Sequence, residues 1–363
     1  MFKIPLSSTP FNAAGIADIL NDYEGQPVMK LVDDFEAAIC QYTGARYALA
    51  LNSGTAAIHL GLKVLGVGPG DVVIAPSFTY VATVGPVLYQ GAQPVFVDSE
   101  QTTWNISPDL LEKAIKSQIE GKTKPKCVIV VHNYGMPAQM RAIKSICDRY
   151  EIPILEDAAE ALGSQYFGAY AGTIGQIGIF SFNNNKVVTA YGGGVLVTGD
   201  KAVYDKALFW ATQSREDKPY YEHTDLGYNY RMSPLNAAAG ILELRSVKAK
   251  IEQRRNLFSQ YKGVFGSWES VAWLEEPDGF KTNRWLSTAL FSNPLIINDI
   301  MEKTKRQGIE CRRLWKPMHL QPYYKKYPSF VDGTGETLFQ QGICLPSGGA
   351  VIVGDVFGIL DQS

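Results

Sequence analysis

Between residues 47 and 198 the chain alternates short apolar runs with stretches of helical composition, and few architectures accept that order. Residues 47–51, 72–75, 94–97, 127–131, 153–155, 177–182 and 194–198 read as strands. Between them, 56–65, 79–89 and 140–150 read as helices. Another helix opens at Ser107-Pro108-Asp109, an N-cap followed by Pro at the first position, with Leu110, Leu111, Ala114 and Ile115 on one face. The run 127–131 is apolar throughout, the pattern of a strand covered on both sides. Such alternation predicts an α/β fold, a mostly parallel sheet flanked by helices. From about Pro234 the texture changes to a long charged helix over 236–261, then shorter mixed segments. A large domain over 1–245 and a smaller C-terminal α+β domain over 246–363 are expected. At about one domain per 150 residues, 363 residues have room for both. Trp268 and Trp273 read as core of the smaller one.

Composition removes several function classes. Lys and Arg total 34 against 36 Asp and Glu, so no basic excess exists to neutralise a nucleic acid or an anionic membrane. The five cysteines (40, 127, 147, 311, 344) are widely spaced, without C-x-x-C, which fits a reducing compartment. The four histidines (59, 132, 223, 319) lack metal-ligand spacing, so no metal site is expected. Residues 72–97 carry no charge, a length that could cross a bilayer. Pro76, Gly85, Pro86, Gly91 and Pro94 interrupt it, however, and it reads as strand, helix and strand of a soluble core. The first twenty residues lack the continuous apolar block of a signal peptide, and a cytoplasmic location is expected.

Three segments could carry chemistry. Asn52-Ser53-Gly54-Thr55 ends a strand and starts a helix, so main-chain N–H groups and the helix dipole suit a phosphate there. Taken alone it reads first as an ordinary N-cap. Glu156-Asp157 closes an apolar strand at the end where open α/β sheets collect ligands. Facing a ring nitrogen at ~4 Å, Asp157 would attract it by about 4 kcal/mol at an effective dielectric near 20, enough to keep the nitrogen protonated. Taken alone, the two acids read first as caps of a following helix. The third segment, Ser181-Phe182-Asn183-Asn184-Asn185-Lys186, precedes Tyr191-Gly192-Gly193-Gly194. No acid lies within ten residues of Lys186 on either side, and a desolvated lysine there could serve as a Schiff-base amine. His59 reads as a core histidine. Arg312, Arg313 and Lys316 cluster with Trp315, Tyr323 and Tyr324, a group suited to a diphosphate and a stacked base, or nearly as well to a solvated face with snorkelling side chains.

Taken in order, Ser53-Gly54-Thr55, Pro76-Ser77-Phe78-Thr79-Tyr80, Glu156-Asp157-Ala158-Ala159-Glu160, Ser181 to Lys186 and Gly227-Tyr228-Asn229-Tyr230-Arg231-Met232 resemble the sugar aminotransferases of the DegT/DnrJ/EryC1/StrS family over nearly the whole chain. Within that family, Asn283-Arg284-Trp285, the run from Arg313 to His319, the run from Gly342 to Gly348 and Tyr221-Glu222-His223 most resemble the C4 aminotransferases of the UDP-N-acetylbacillosamine pathway.

The resemblance implies a fold-type-I transferase of the aspartate aminotransferase kind that uses pyridoxal 5'-phosphate. Lys186 would bond the cofactor and move the proton, and Asp157 would pair with the ring nitrogen. Glu160 would lie near the ring hydroxyl, where many relatives carry Gln or His, and Tyr80 would stack on the ring. Gly54, Thr55 and Ser181 would hold the phosphate, with Asn229 reaching it from a second subunit of a homodimer. Arg231, Arg312, Trp315 and His319 would contact a nucleotide sugar. The implied reaction takes an amino group from glutamate to a UDP-linked 4-keto-6-deoxy-N-acetylhexosamine. A GDP-linked 4-keto-6-deoxymannose, as in perosamine synthesis, and a non-catalytic cofactor-binding regulator are the alternatives.

Overall fold

The computed structural model describes residues 2–265 and 271–348, with 351, 353, 354 and 356. Trp268 lies outside them. The first five strands are β1 (Tyr47–Leu51), β2 (Val72–Pro76), β3 (Gln93–Val97), β4 (Cys127–Val131) and β5 (Ile154–Asp157). A two-residue hairpin, β6 (Gln165–Tyr166) and β7 (Ala169–Tyr170), follows, then β8 (Ile177–Ser181) and β9 (Gly194–Thr198). Beyond it come β10 (Val271–Trp273), β11 (Phe280–Lys281), β12 (Ser287–Phe291), β13 (Arg312–Arg313), β14 (Ser329–Phe330) and β15 (Gly342–Leu345).

The large sheet has the order β1-β9-β8-β5-β4-β2-β3-β14. From β8 to β14 neighbouring strands are parallel, while β9 runs antiparallel to both β8 and β1. Period-2 alternation sends successive side chains to opposite faces. Val73, Ala75, Ile129 and Val131 meet Ala57, Ile58 and Leu60 of the helix Gly54–Val64. Val72, Ile74, Val128 and Val130 meet Leu111, Ala114 and Ile115 of the helix Pro108–Glu120. Each buried Val, Leu or Ile among them contributes roughly 1.5–3 kcal/mol, and the two layers fix the sheet between them. With β1, β2, β4, β5 and β8 running the same way, their C-terminal ends share one edge, where ligands gather in α/β sheets.

Two expected helices differ. The helix expected over 79–89 is a 3₁₀ turn, Val81–Thr83, followed by a short helix, Gly85–Tyr89. Pro86 has no N–H to donate and fits only a first turn, so the helix restarts there. The helix expected over 236–261 is two helices, Pro234–Leu244 and Val247–Phe265. At the break, the Ser246 amide (3.2 Å) and hydroxyl (3.1 Å) both donate to the Glu243 carbonyl.

A second, antiparallel sheet has the order β10-β12-β15-β13, and the helices Pro294–Arg306 and Thr334–Gln341 accompany it. Trp273 packs edge-on against Phe258 with ring centroids 5.4 Å apart. The C-terminal third is not confined to this sheet. β14 extends the large sheet beside β3, and β11 pairs with β6.

Candidate active site

At the shared C-terminal edge lies a cleft of about 880 Å³. Ser53, Gly54, Thr55, Tyr80, Thr83, Asp157, Glu160, Ser181, Lys186, Trp285 and Trp315 all face it, although the sequence spreads them over more than 260 positions.

One end is a cup of main chain. The Ser53 hydroxyl accepts from the Ala56 amide (3.0 Å) and its carbonyl from the Ala57 amide (3.1 Å), which caps the helix Gly54–Val64. The first-turn amides of Gly54 and Thr55 then have no acceptor inside the helix. A Cβ on Gly54 would stand 3.2 Å from that of Ser181, and one on Gly194 only 2.4 Å from the Gly54 nitrogen. Helix start, strand end and glycine run therefore meet at one point, and only glycine permits the approach. Gly192 (φ 152°) and Gly193 (φ 109°) also hold backbone angles that side chains resist.

The floor carries the charges. Asp157 ends β5, buried, and accepts from the Thr83 hydroxyl (2.7 Å) and the Ala159 amide (3.1 Å). Burial raises its pKa despite those donors. Glu160 accepts the Tyr134 amide at 2.6 Å, and its other oxygen lies 3.8 Å from Lys186 Nζ. Burial pushes Glu160 up to about 7, and burial draws the Lys186 amine down. The lysine ammonium also lies 4.0 Å over the ring of Trp285. Tyr134 presents its amide from the left-handed region (φ 56°) and stacks between Trp285 and Trp315 at 6.4 and 5.8 Å. Tyr80 tilts against Trp315 at 5.3 Å and is half exposed.

Other expected residues are placed differently. Glu156 turns away from the cleft, accepts the Gly172 (2.8 Å), Ile174 (2.6 Å) and Gly175 amides, and pairs with His132 at 2.8 Å. Instead of capping a helix, it pins the 172–175 turn. His59 shares a hydrogen bond with the Tyr230 hydroxyl at 3.2 Å, within the core. The three substrate-side residues other than Trp315 do not line the cleft. Arg231 is spent on Glu36 (2.6 Å) and the Ala50 carbonyl (3.3 Å) behind β1. Arg312 pairs with Glu310 at 2.7 Å on the small sheet. His319 bridges Ser77 (2.6 Å) and Glu336 (3.2 Å), tying the 318–320 turn to the end of β2. Arg313 holds the Phe339 and Gln340 carbonyls and Asn298, so Lys316 alone of the basic cluster reaches the aromatic shelf of Tyr80, Trp315, Tyr323 and Tyr324. Asn229 is exposed and outside its own chain's cleft.

Thr83 is a functional neighbour that the motifs do not include, and Trp285, although part of Asn283-Arg284-Trp285, carried no expected role. They reach Asp157 and the Lys186 loop only through the fold.

The site suits pyridoxal phosphate. The cup offers amides, a helix dipole and the Ser181 hydroxyl to a phosphate. The floor holds two buried carboxylates against one amine, an imbalance that a cationic ring nitrogen beside Asp157 removes.

The model of the DegT/DnrJ/EryC1/StrS aminotransferase family matches residues 15–361. A putative pyridoxal phosphate-dependent aminotransferase, EpsN, of Bacillus subtilis (strain 168) is 45% identical over 326 residues, 89% of this chain and 84% of that protein. A GDP-perosamine synthase of Escherichia coli O157:H7 is 36% identical over 317 residues, 87% of this chain and 84% of the other. Among solved structures, the pyridoxal-phosphate form of the putative sugar aminotransferase Spr1654 of Streptococcus pneumoniae superimposes with a TM-score of 0.89 at 25% identity. That match covers 99% of this chain and 97% of the other. The chain therefore belongs to the DegT/DnrJ/EryC1/StrS family and is a pyridoxal phosphate-dependent aminotransferase of the sugar-modifying kind.

Proposed function

We propose that this enzyme moves an amino group from glutamate to C4 of a nucleotide-linked 4-keto-6-deoxy-N-acetylhexosamine, with UDP as the nucleotide. The observation that carries the reading is Lys186, a buried amine drawn toward its neutral form, at the floor of a cleft that widens into the aromatic shelf. An amino acid alone would leave that shelf empty. A sugar would cover the charged floor, with its nucleotide on Trp315, Tyr323 and Tyr324 and its diphosphate toward Lys316, leaving Tyr80 to the cofactor ring.

Bound pyridoxal phosphate supplies the electron sink for breaking a bond at the amine-bearing carbon. The chain's residues supply the rest. Gly54 and Thr55 amides and the Ser181 hydroxyl bind the phosphate. Asp157, held by Thr83, orients the ring and keeps its nitrogen protonated. Lys186 Nζ would carry the proton from the donor carbon to the cofactor in the first half-reaction and from the cofactor to the sugar carbon in the second, while Glu160 holds Lys186 in reach. A neutral lysine is the competent base, so burial of the amine favours this step. Trp285 and Trp315 wall the floor from water.

Asn229, exposed on its own chain, is assigned to the cup of a second copy. Likeness to the bacillosamine-pathway branch in the segments that bring Trp285 and Trp315 to the cleft supports the UDP sugar. A GDP-linked 4-keto-6-deoxymannose is the second reading, favoured by the relative named a GDP-perosamine synthase. The test is a half-reaction. Protein converted to its amine form with glutamate, then freed of excess donor, is mixed with UDP- and GDP-linked 4-keto sugars. Return of the aldehyde-form absorbance with the UDP sugar is expected. Return with the GDP sugar alone establishes the second reading, and return with neither overturns both.

A further inference from the structure

Arg254, in the helix Val247–Phe265, is only 6% exposed. Its guanidinium donates to the carbonyls of Trp285 (2.6 Å) and Ser347 (2.7 Å) and to the Ser7 hydroxyl (3.1 Å). Among the described residues no carboxylate pairs with it, and burial alone pulls its pKa down to about 10. Arg231 and Arg255 differ, each paired with a glutamate. A buried cation held only by neutral dipoles keeps an unmet demand for an anion.

Arg254 borders a cavity of about 310 Å³, distinct from the active-site cleft. Ile4, Pro5, Pro10 and Val187 give it an apolar wall, and Ser8 and Thr9 add hydroxyls. Lys250 at its edge is already paired with Glu243. An apolar chamber with the buried Arg254 unneutralised and the exposed Lys3 at its lining suits a compact organic anion.

The cavity also reaches the catalytic segment through short bonds. The Ser7 hydroxyl donates to the Asn185 carbonyl at 2.7 Å, and Trp285 Nε1 donates to the same carbonyl at 2.8 Å. Both Ser7 and Trp285 are partners of Arg254, and Asn185 immediately precedes Lys186.

We propose that this cavity is a second ligand site, taking a small carboxylate or phosphate ester whose charged end meets Arg254, and that its occupant stiffens the 183–187 segment. The inference holds whichever sugar is aminated.

The test is calorimetric titration of cofactor-loaded protein, in which the phosphate cup is already filled, with butyrate, ethyl phosphate and neutral butyramide. Saturable binding of an anion and none of the amide is expected, the preferred anion telling carboxylate from phosphate. Thr9→Glu, which places an acid in the chamber, and Arg254→Gln are each expected to weaken binding by about tenfold or more. Should Arg254→Gln fail to fold, Thr9→Glu carries the comparison. No saturable heat with either anion, or unchanged affinity in Thr9→Glu, overturns the site. Amide hydrogen exchange over 183–187 should slow on binding, and unchanged exchange overturns the coupling.

Discussion

Lys186 and Glu160 stand 3.8 Å apart at the cleft floor, and burial drives both toward their neutral forms. The effect on stability has a definite sign. Folded Glu160, titrating at about 7 against an ordinary 4.5, holds its proton more tightly than the unfolded chain does. Stability of the cofactor-free protein therefore falls as pH rises through that window, by about 3 kcal/mol at most, and levels off above it. Glu160→Gln should flatten the slope, as read from urea midpoints between pH 4.5 and 8. Asp157→Asn should retain cofactor yet lose roughly 10³-fold in rate, because an amide cannot hold the ring nitrogen protonated. Single-turnover absorbance checks it. Thr83→Val removes the hydroxyl that Asp157 accepts, and a loss of about 1–2 kcal/mol, roughly tenfold in rate, is expected from the same assay. Lys186 and Asp157 could be singled out in the sequence because Glu156-Asp157 closes an apolar run and no acid lies within ten residues of Lys186, and the family resemblance gave each its expected role. Thr83 could not, being 74 positions from its partner. Arg231 was misread for the same reason, since nothing near it in sequence announces Glu36.

At the scale of elements, the strands of the large sheet other than β14 were readable to within a residue or two, since buried strands are nearly continuous apolar runs. The two-residue strands β6, β7, β11, β13 and β14 carry no periodicity and escaped. Helix breaks escaped as well, because Pro86 acts through the one amide it lacks and Ser246 through its local bonds to the Glu243 carbonyl, rather than through composition. The phosphate cup is an assembly of elements, and its glycines can be tested. Gly194→Ala would drive a methyl into the Gly54 nitrogen, so either the cup opens or β9 shifts. A stability loss of about 1–3 kcal/mol with weaker cofactor retention is expected, measured by thermal unfolding and by dialysis against cofactor-free buffer. Wild-type retention would show that the cup is not where the phosphate sits.

Over the whole molecule, the α/β architecture was legible, whereas the path of the C-terminal third was not. The expected division at 245 does not anticipate β14 joining the large sheet beside β3, a pairing between residues more than 230 positions apart. That crossing brings Trp315, Tyr323 and Tyr324 over the cleft beside Tyr80. Among the described residues no helix is long and apolar enough to span a membrane. If Asn229 serves the second copy's cup, mixing inactive Lys186→Ala with inactive Asn229→Ala protein should restore about a quarter of wild-type activity in randomly exchanged dimers. No recovery would assign Asn229 to its own chain. The most direct test of the account is chemical. Holoenzyme is reduced with borohydride, digested, and mapped by mass spectrometry. The cofactor captured on Lys186, and lost in Lys186→Ala with an unchanged circular dichroism spectrum, is the result predicted. Capture on another lysine, or on none, would contradict it.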